Sequence, residues 1–286
     1  MRNLITTIIL LASLAIGSAT AQQKIASHPR LLLHKGDVTN IKTFAATNTN
    51  AQAVHAHIIA AADAILPSSP AERTMEGKRM LATSREVLKR VFYLSYAYAT
   101  TEDKRYAQRA EAEMLAVSEY EDWNPAHFLD VAEMTLAMAI GYDWLFDYLP
   151  THSKSRIAMA IYEKGLKPAE TNTNAWYQNS ANNWNQVCNG GAIAAALAIY
   201  EKDKQISAST IDKAIQSNLS AVDYMYNPDG NGIEGYGYWE YAATYQAVII
   251  NALESVFNTS CGIAENQGFQ RTPSWKLFMD GVTGPF

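Results

Sequence analysis

Gly191-Ala192-Ile193-Ala194-Ala195-Ala196-Leu197-Ala198-Ile199-Tyr200 is apolar on every face of the helix that its alanines favour. A helix with no polar stripe must be buried all round, so this stretch sets the centre of the fold. Segment 126–148 has nearly the same character, whereas 103–119 and 207–226 carry their charges on one face and are half-buried. Working outward, helical periodicity covers 37–47, 51–65, 82–100, 103–119, 126–148, 153–166, 186–201, 207–226, 239–257 and 273–280. Runs of β-branched residues at strand length are scarce. Pro150 ends one helix, Thr151 is expected to cap the next, and Asn227-Pro228-Asp229-Gly230 closes another with turn chemistry. The fold class is all-α. Fully buried helices alternating with half-buried ones suit two concentric rings of helical hairpins, with a superhelical array of helix pairs as the alternative.

The chain has 286 residues, 48% apolar and 18% charged, which is enough for one large domain with a substantial core. Its formal net charge is -5 and it holds no long Lys/Arg run, so a nucleic-acid partner is not expected. Attraction of an acidic substrate would need a local basic group rather than the whole surface. Arg2, the apolar run Ile5 to Ile16 and the Ala19-Thr20-Ala21 cleavage site predict a signal peptide over 1–21 and a mature domain over 22–286. The protein is therefore expected in the periplasm or outside the cell, with no membrane span. Cys188 and Cys261 make no disulfide framework, and Cys188 reads as a buried thiol.

Two stretches could carry chemistry. The first is Trp176-Tyr177-Gln178-Asn179-Ser180-Ala181-Asn182-Asn183-Trp184-Asn185-Gln186-Val187-Cys188-Asn189-Gly190-Gly191. Amides crowded at the mouth of a buried helix either line a cleft or cap helices and bond backbone. In the cleft reading the tryptophans stack on sugar rings and the amides meet hydroxyls or a carboxylate. The second is Asn227-Pro228-Asp229-Gly230-Asn231-Gly232-Ile233-Glu234-Gly235-Tyr236-Gly237-Tyr238-Trp239-Glu240-Tyr241, with Tyr245 beyond, which either lines a cleft or is an aromatic-packed turn. Its formal G-x-G-x-x-G follows no strand, so it is not a dinucleotide site, and its acids are wrongly spaced for a calcium loop. No metal or cofactor is expected. Asp130 with Glu133, and Asp143 with Asp147, share helix faces and could be a glycosidase acid/base pair or ordinary structural carboxylates. Arg85 and Arg90 read as solvated. No histidine lies near either stretch in the sequence.

Four segments resemble heparinase II/III-like and alginate-lyase-like polysaccharide lyases. They are His28-Pro29-Arg30-Leu31-Leu32-Leu33, Phe128-Leu129-Asp130-Val131-Ala132-Glu133-Met134 running on to Gly141-Tyr142-Asp143-Trp144-Leu145, Asn182 to Gly191, and Glu234 to Tyr241. The resemblance implies an incomplete (α/α) toroid followed by β-sandwich domains. It implies β-elimination on uronic-acid glycans, with no cofactor. It also implies Asn183 as the group that neutralises the uronate carboxylate and Tyr238 as the base that removes the C5 proton. Asn182, Trp184, Gln186, Glu234, Tyr236, Trp239 and Tyr241 are then expected to contact substrate, with Tyr236 and Tyr241 as alternative bases. The β-sandwich domains have no counterpart in this sequence, so the expected partners are an acidic polysaccharide and a C-terminal β domain from elsewhere. A glycoside hydrolase on a helical barrel and a non-catalytic glycan-binding module are the competing functions.

Overall fold

The computed structural model describes residues 25–171, 173–226, 228–281 and 284–285. The expected signal peptide over 1–21 lies outside the described residues. Among the described residues ten α-helices follow one another: α1 (Asp37–Thr47), α2 (Thr49–Ile65), α3 (Leu81–Thr101), α4 (Lys104–Ser118), α5 (Phe128–Trp144), α6 (Thr151–Ala160), α7 (Asn183–Ala198), α8 (Lys204–Tyr226), α9 (Tyr236–Phe257) and α10 (Gln267–Met279). A π-helical turn, Ile161–Leu166, continues α6, and a 3₁₀ turn, Trp176–Asn179, precedes α7. The only strands among the described residues are β1 (Asp280–Gly281) and β2 (Gly284–Pro285), an antiparallel pair. The chain is all-α, as its periodicity predicts.

The stretch with no polar face is central. Every residue of α5 from Phe128 to Asp143 is buried, and α7 is buried apart from Trp184 and Ala192. These two helices pack on each other; α3 covers the other side of α5, and α9 and α8 cover α7. The contact between α5 and α7 is close because Gly191 has no side chain. A Cβ there would stand 2.6 Å from the carbonyl oxygen of Ala132, closer than real packing allows. Amphipathic α4 packs outside α3 and α5, burying Tyr106, Ala110, Met114 and Val117 along one stripe.

Two helix starts differ from expectation. Thr151 is the first residue of α6 rather than its cap; Pro150 is the N-cap and no side chain bonds the free amides. Helix α10 begins at Gln267, earlier than the expected 273, and carries Pro273 inside it. Asn266 supplies the start by accepting from Phe269 N at 2.9 Å.

The N-terminal lead is strapped across the helices by one carboxylate. Asp143 accepts from Arg30 N and Leu31 N, each at 2.8 Å, and bonds His28 Nδ1 at 2.5 Å. Arg30 reaches on to Glu201 with both terminal nitrogens, at 2.5 and 2.7 Å. His28-Pro29-Arg30 is thus a structural staple. Cys188 is buried and Cys261 half-buried, both free thiols, and burial pushes the Cys188 thiol well above its usual pKa. Among the described residues no helix is long and apolar enough to cross a membrane.

Candidate functional site

The second of the two chemistry-bearing stretches becomes the wall of a cleft. Asp229 to Gly235 leaves α8, and α9 starts at Tyr236. The turn is pinned at Gly230, where φ is +82° and a Cβ would meet the backbone of Arg271 and Thr272 at 2.6 Å. Thr272 Oγ1 donates to Gly230 O at 2.6 Å, fixing the turn to α10. From there Glu234, Tyr236, Tyr238 and Tyr241 line a cleft of ≈ 780 Å³ together with Arg85 of α3 and Glu133 of α5. Tyr238 is the most exposed of its tyrosines, at 57%.

Below Tyr238 the cleft has a polar floor. Glu133 has a side chain only 4% exposed, yet it is ionisable and so requires partners. Arg85 Nε donates to its Oε1 at 2.9 Å, and Tyr241 Oη donates to the same oxygen at 2.6 Å. The Arg85 guanidinium also lies over the Tyr241 ring, 5.1 Å from its centroid. Burial first, and then the charge of Glu133, hold the Tyr241 hydroxyl far above its usual pKa. Tyr245 is raised by the same two causes. Both hydroxyls are therefore protonated donors at neutral pH, which argues against Tyr241 as a base.

The first stretch meets the second through one pair of residues. Glu234 accepts from the backbone N–H of Asn183 at 2.5 Å and from its side-chain amide at 2.9 Å. Asn183 is buried, and its Oδ1 has no hydrogen-bond partner among the described residues. Its donors are directed at a carboxylate, as the chemistry expected of it requires, but that carboxylate is the protein's own. Asn182 caps α7 by accepting from Trp184 N at 3.2 Å.

The remaining residues divide between the mouth of α7 and the interior. Trp184 is sandwiched between Trp176, at 4.7 Å, and the edge of His127, at 4.9 Å. His127 is a neighbour that linear distance conceals. It bonds buried Asp130 at 2.6 Å, and Asp130 also accepts from Met80 N and the Asn124 amide. Gln186 does not reach the cleft; it is wholly buried and donates to Met225 Sδ at 2.9 Å. Trp239 turns away as well, donating to Thr272 Oγ1 at 2.6 Å and packing on Trp275, because that face of α9 docks on α10. Deeper amides form a buried chain: Asn218 and Gln246 exchange bonds at 3.0 and 2.8 Å, and Asn185 donates to Ser217. Within the amide stretch itself, Asn182 takes the capping role and Asn185 also bonds backbone, donating to Tyr177 O at 3.3 Å.

The carboxylate pairs do not assemble as an acid/base couple. Asp130 is spent on three partners and Asp143 on the N-terminal lead. Asp147 is exposed and pairs with Lys35 at 3.7 Å. A second groove of ≈ 740 Å³, lined by Gln178, Asp212, Lys213 and Tyr224 among others, contains neither Tyr238 nor Asn183. No protein-family model matches the chain, and no curated protein matches its sequence.

Proposed function

We propose that the protein is an exported polysaccharide lyase, or the (α/α)-toroid portion of one, that cleaves uronic-acid-containing glycans by β-elimination. The observation that carries this reading is the cleft that half-exposed Tyr238 lines together with Tyr236 and the Arg85–Glu133 pair. The inner row α3, α5, α7 and α9, backed by α4, α6 and α8, is the layering that a toroid of helical hairpins requires.

Tyr238, as phenolate, takes the C5 proton of the uronate. Electrons from the C5–H bond form the C4–C5 double bond, and the C4–O bond breaks. The phenol then returns the proton to the leaving oxygen, so no net proton is consumed. A cation in the same cleft stabilises the negative charge that develops beside C5. Asn183 acts through Glu234, holding the loop that carries Tyr236 and Tyr238 against the start of α7. Tyr241, kept protonated beside Glu133, serves as a fixed donor.

The test is ultraviolet-detected elimination on heparan sulfate, chondroitin, hyaluronan and alginate. The expected result is an unsaturated uronate from at least one polymer. New reducing ends without that absorbance would make the protein a hydrolase, and binding without any product would make it a glycan-binding module.

A further inference from the structure

We infer that Arg85 is the carboxylate-reading group of this cleft, a subsite for the acid group of a uronate sugar. The substrate class rests on the lyase reading above; the geometry of the subsite does not. In the sequence Arg85 is one charge on an amphipathic helix. In the fold it is the only Lys or Arg among the described residues that line the cleft.

Three features make it a built site rather than a solvated side chain. First, the guanidinium is fixed from below, by the Nε bond to Glu133 and by the Tyr241 ring beneath it. Second, the close hydrogen bond to Glu133 uses Nε alone. Beyond it the guanidinium meets the Tyr241 hydroxyl, and the side chain is 52% exposed. Two parallel N–H donors match the two oxygens of a carboxylate. Third, the two acids closest to it are already engaged: Glu133 is held by Arg85 and Tyr241, and Glu234 by the amides of Asn183, while Glu240 lines the cleft from its exposed side.

The same geometry reassigns the recognition step. Asn183 was expected to meet the substrate carboxylate, but it is 3% exposed and both of its donors face Glu234. Arg85 has the accessible donors that the step needs, and Asn183 becomes a positioning residue.

The experiment uses the full chain and tetrasaccharides of hyaluronan, chondroitin, heparan sulfate and alginate, each with its carboxyl-reduced counterpart. Affinities are measured by calorimetry, with a melting curve for each variant. The wild type should bind at least one acidic tetrasaccharide and lose on the order of 10- to 100-fold on carboxyl reduction, the range for a charged hydrogen-bond pair. Arg85→Gln should bind both forms equally weakly. Arg85→Lys, which keeps the charge and loses the fork, should fall between them. Lys89→Gln removes a charge from the same helix outside the cleft and should change nothing. The subsite is overturned if folded Arg85→Gln keeps the preference for the acidic form, if Lys89→Gln loses as much, or if no acidic tetrasaccharide binds. Should Arg85→Gln fail to fold, unchanged binding by Arg85→Lys overturns it. Elimination separates the two claims. The binding pattern without any ultraviolet product defeats the lyase reading and leaves the subsite. Product formed by Arg85→Gln at wild-type KM does the reverse.

Discussion

Of the three buried carboxylates on helix α5, Glu133 and Asp143 have opposite fates. Asp143 accepts only from the N-terminal lead: His28, Arg30 N and Leu31 N. The associated cation, Arg30, then spends its terminal nitrogens on Ala26 O, Ala198 O and Glu201. Glu133 accepts from Arg85 and Tyr241, which both line a cleft, and it engages Arg85 through Nε rather than a terminal nitrogen. A buried acid beside a basic side chain is common to both. What separates a staple from a site is whether the cation's terminal nitrogens are spent inside the protein.

The largest effect that would test this contrast lies on the cleft side. Tyr238→Phe removes one hydroxyl from a half-exposed ring, so it should leave the melting temperature unchanged. Elimination should fall by about 10²–10⁴, the usual loss of a general base. Tyr236→Phe and Tyr241→Phe are the matched controls. Loss of activity in one of them with Tyr238→Phe intact would move the base, and full activity in all three would remove the mechanism.

The staple side predicts a stability effect instead. Asp143→Ala leaves a buried histidine and two backbone amides without their acceptor, and should cost about 3–5 kcal/mol in urea unfolding. Glu133→Gln keeps an oxygen for Tyr241 and Arg85 beside an open cleft, and should cost less, about 1–3 kcal/mol. Equal losses would mean that the two carboxylates do the same work and that the contrast is false.

Much of this was legible in the sequence, and the misses have physical causes. The helices were readable because alanine-rich, all-apolar runs have few alternatives to burial. The start of α10 was missed because Pro273 reads as a first-turn residue, while the actual start rests on an Asn266 side-chain bond. At the site, the glycine–tyrosine turn was visible as a motif, and its tyrosines do line a cleft. Arg85 and Glu133 were not read as partners. They lie on different helices, and same-helix spacing drew attention to Asp130 with Glu133. A signal was available: a glutamate inside a helix as apolar as α5 must be paired. Gln186 and Trp239 were over-read because a motif lists neighbours in sequence, whereas helix faces turn some of them inward. His127 was under-read for the converse reason, since helix packing brings it to Trp184.

The smallest effect is a pH dependence confined to the staple. Burial alone would lower the pKa of His28, but the hydrogen bond to Asp143 and the nearby Glu201 outweigh it and raise it above the ordinary value of 6.5, even with Arg30 opposing. The folded state thus holds the His28 proton more tightly than the unfolded chain does. Its contribution to stability is fully present below pH 6.5 and fades as pH rises through the higher folded value. Stacking of the imidazole on Phe146, with centroids 3.9 Å apart, is present in either protonation state, so the pH-dependent part comes from the carboxylates. His28→Gln keeps a polar side chain of similar reach and cannot be protonated. The gap in unfolding free energy between wild type and this variant should be widest between about pH 5 and 6, above the ordinary carboxylate range. It should narrow steadily above pH 6.5. A gap that stays constant with pH would show that His28 acts by packing alone. One that widens with rising pH would mean that the neutral ring is the form the fold prefers.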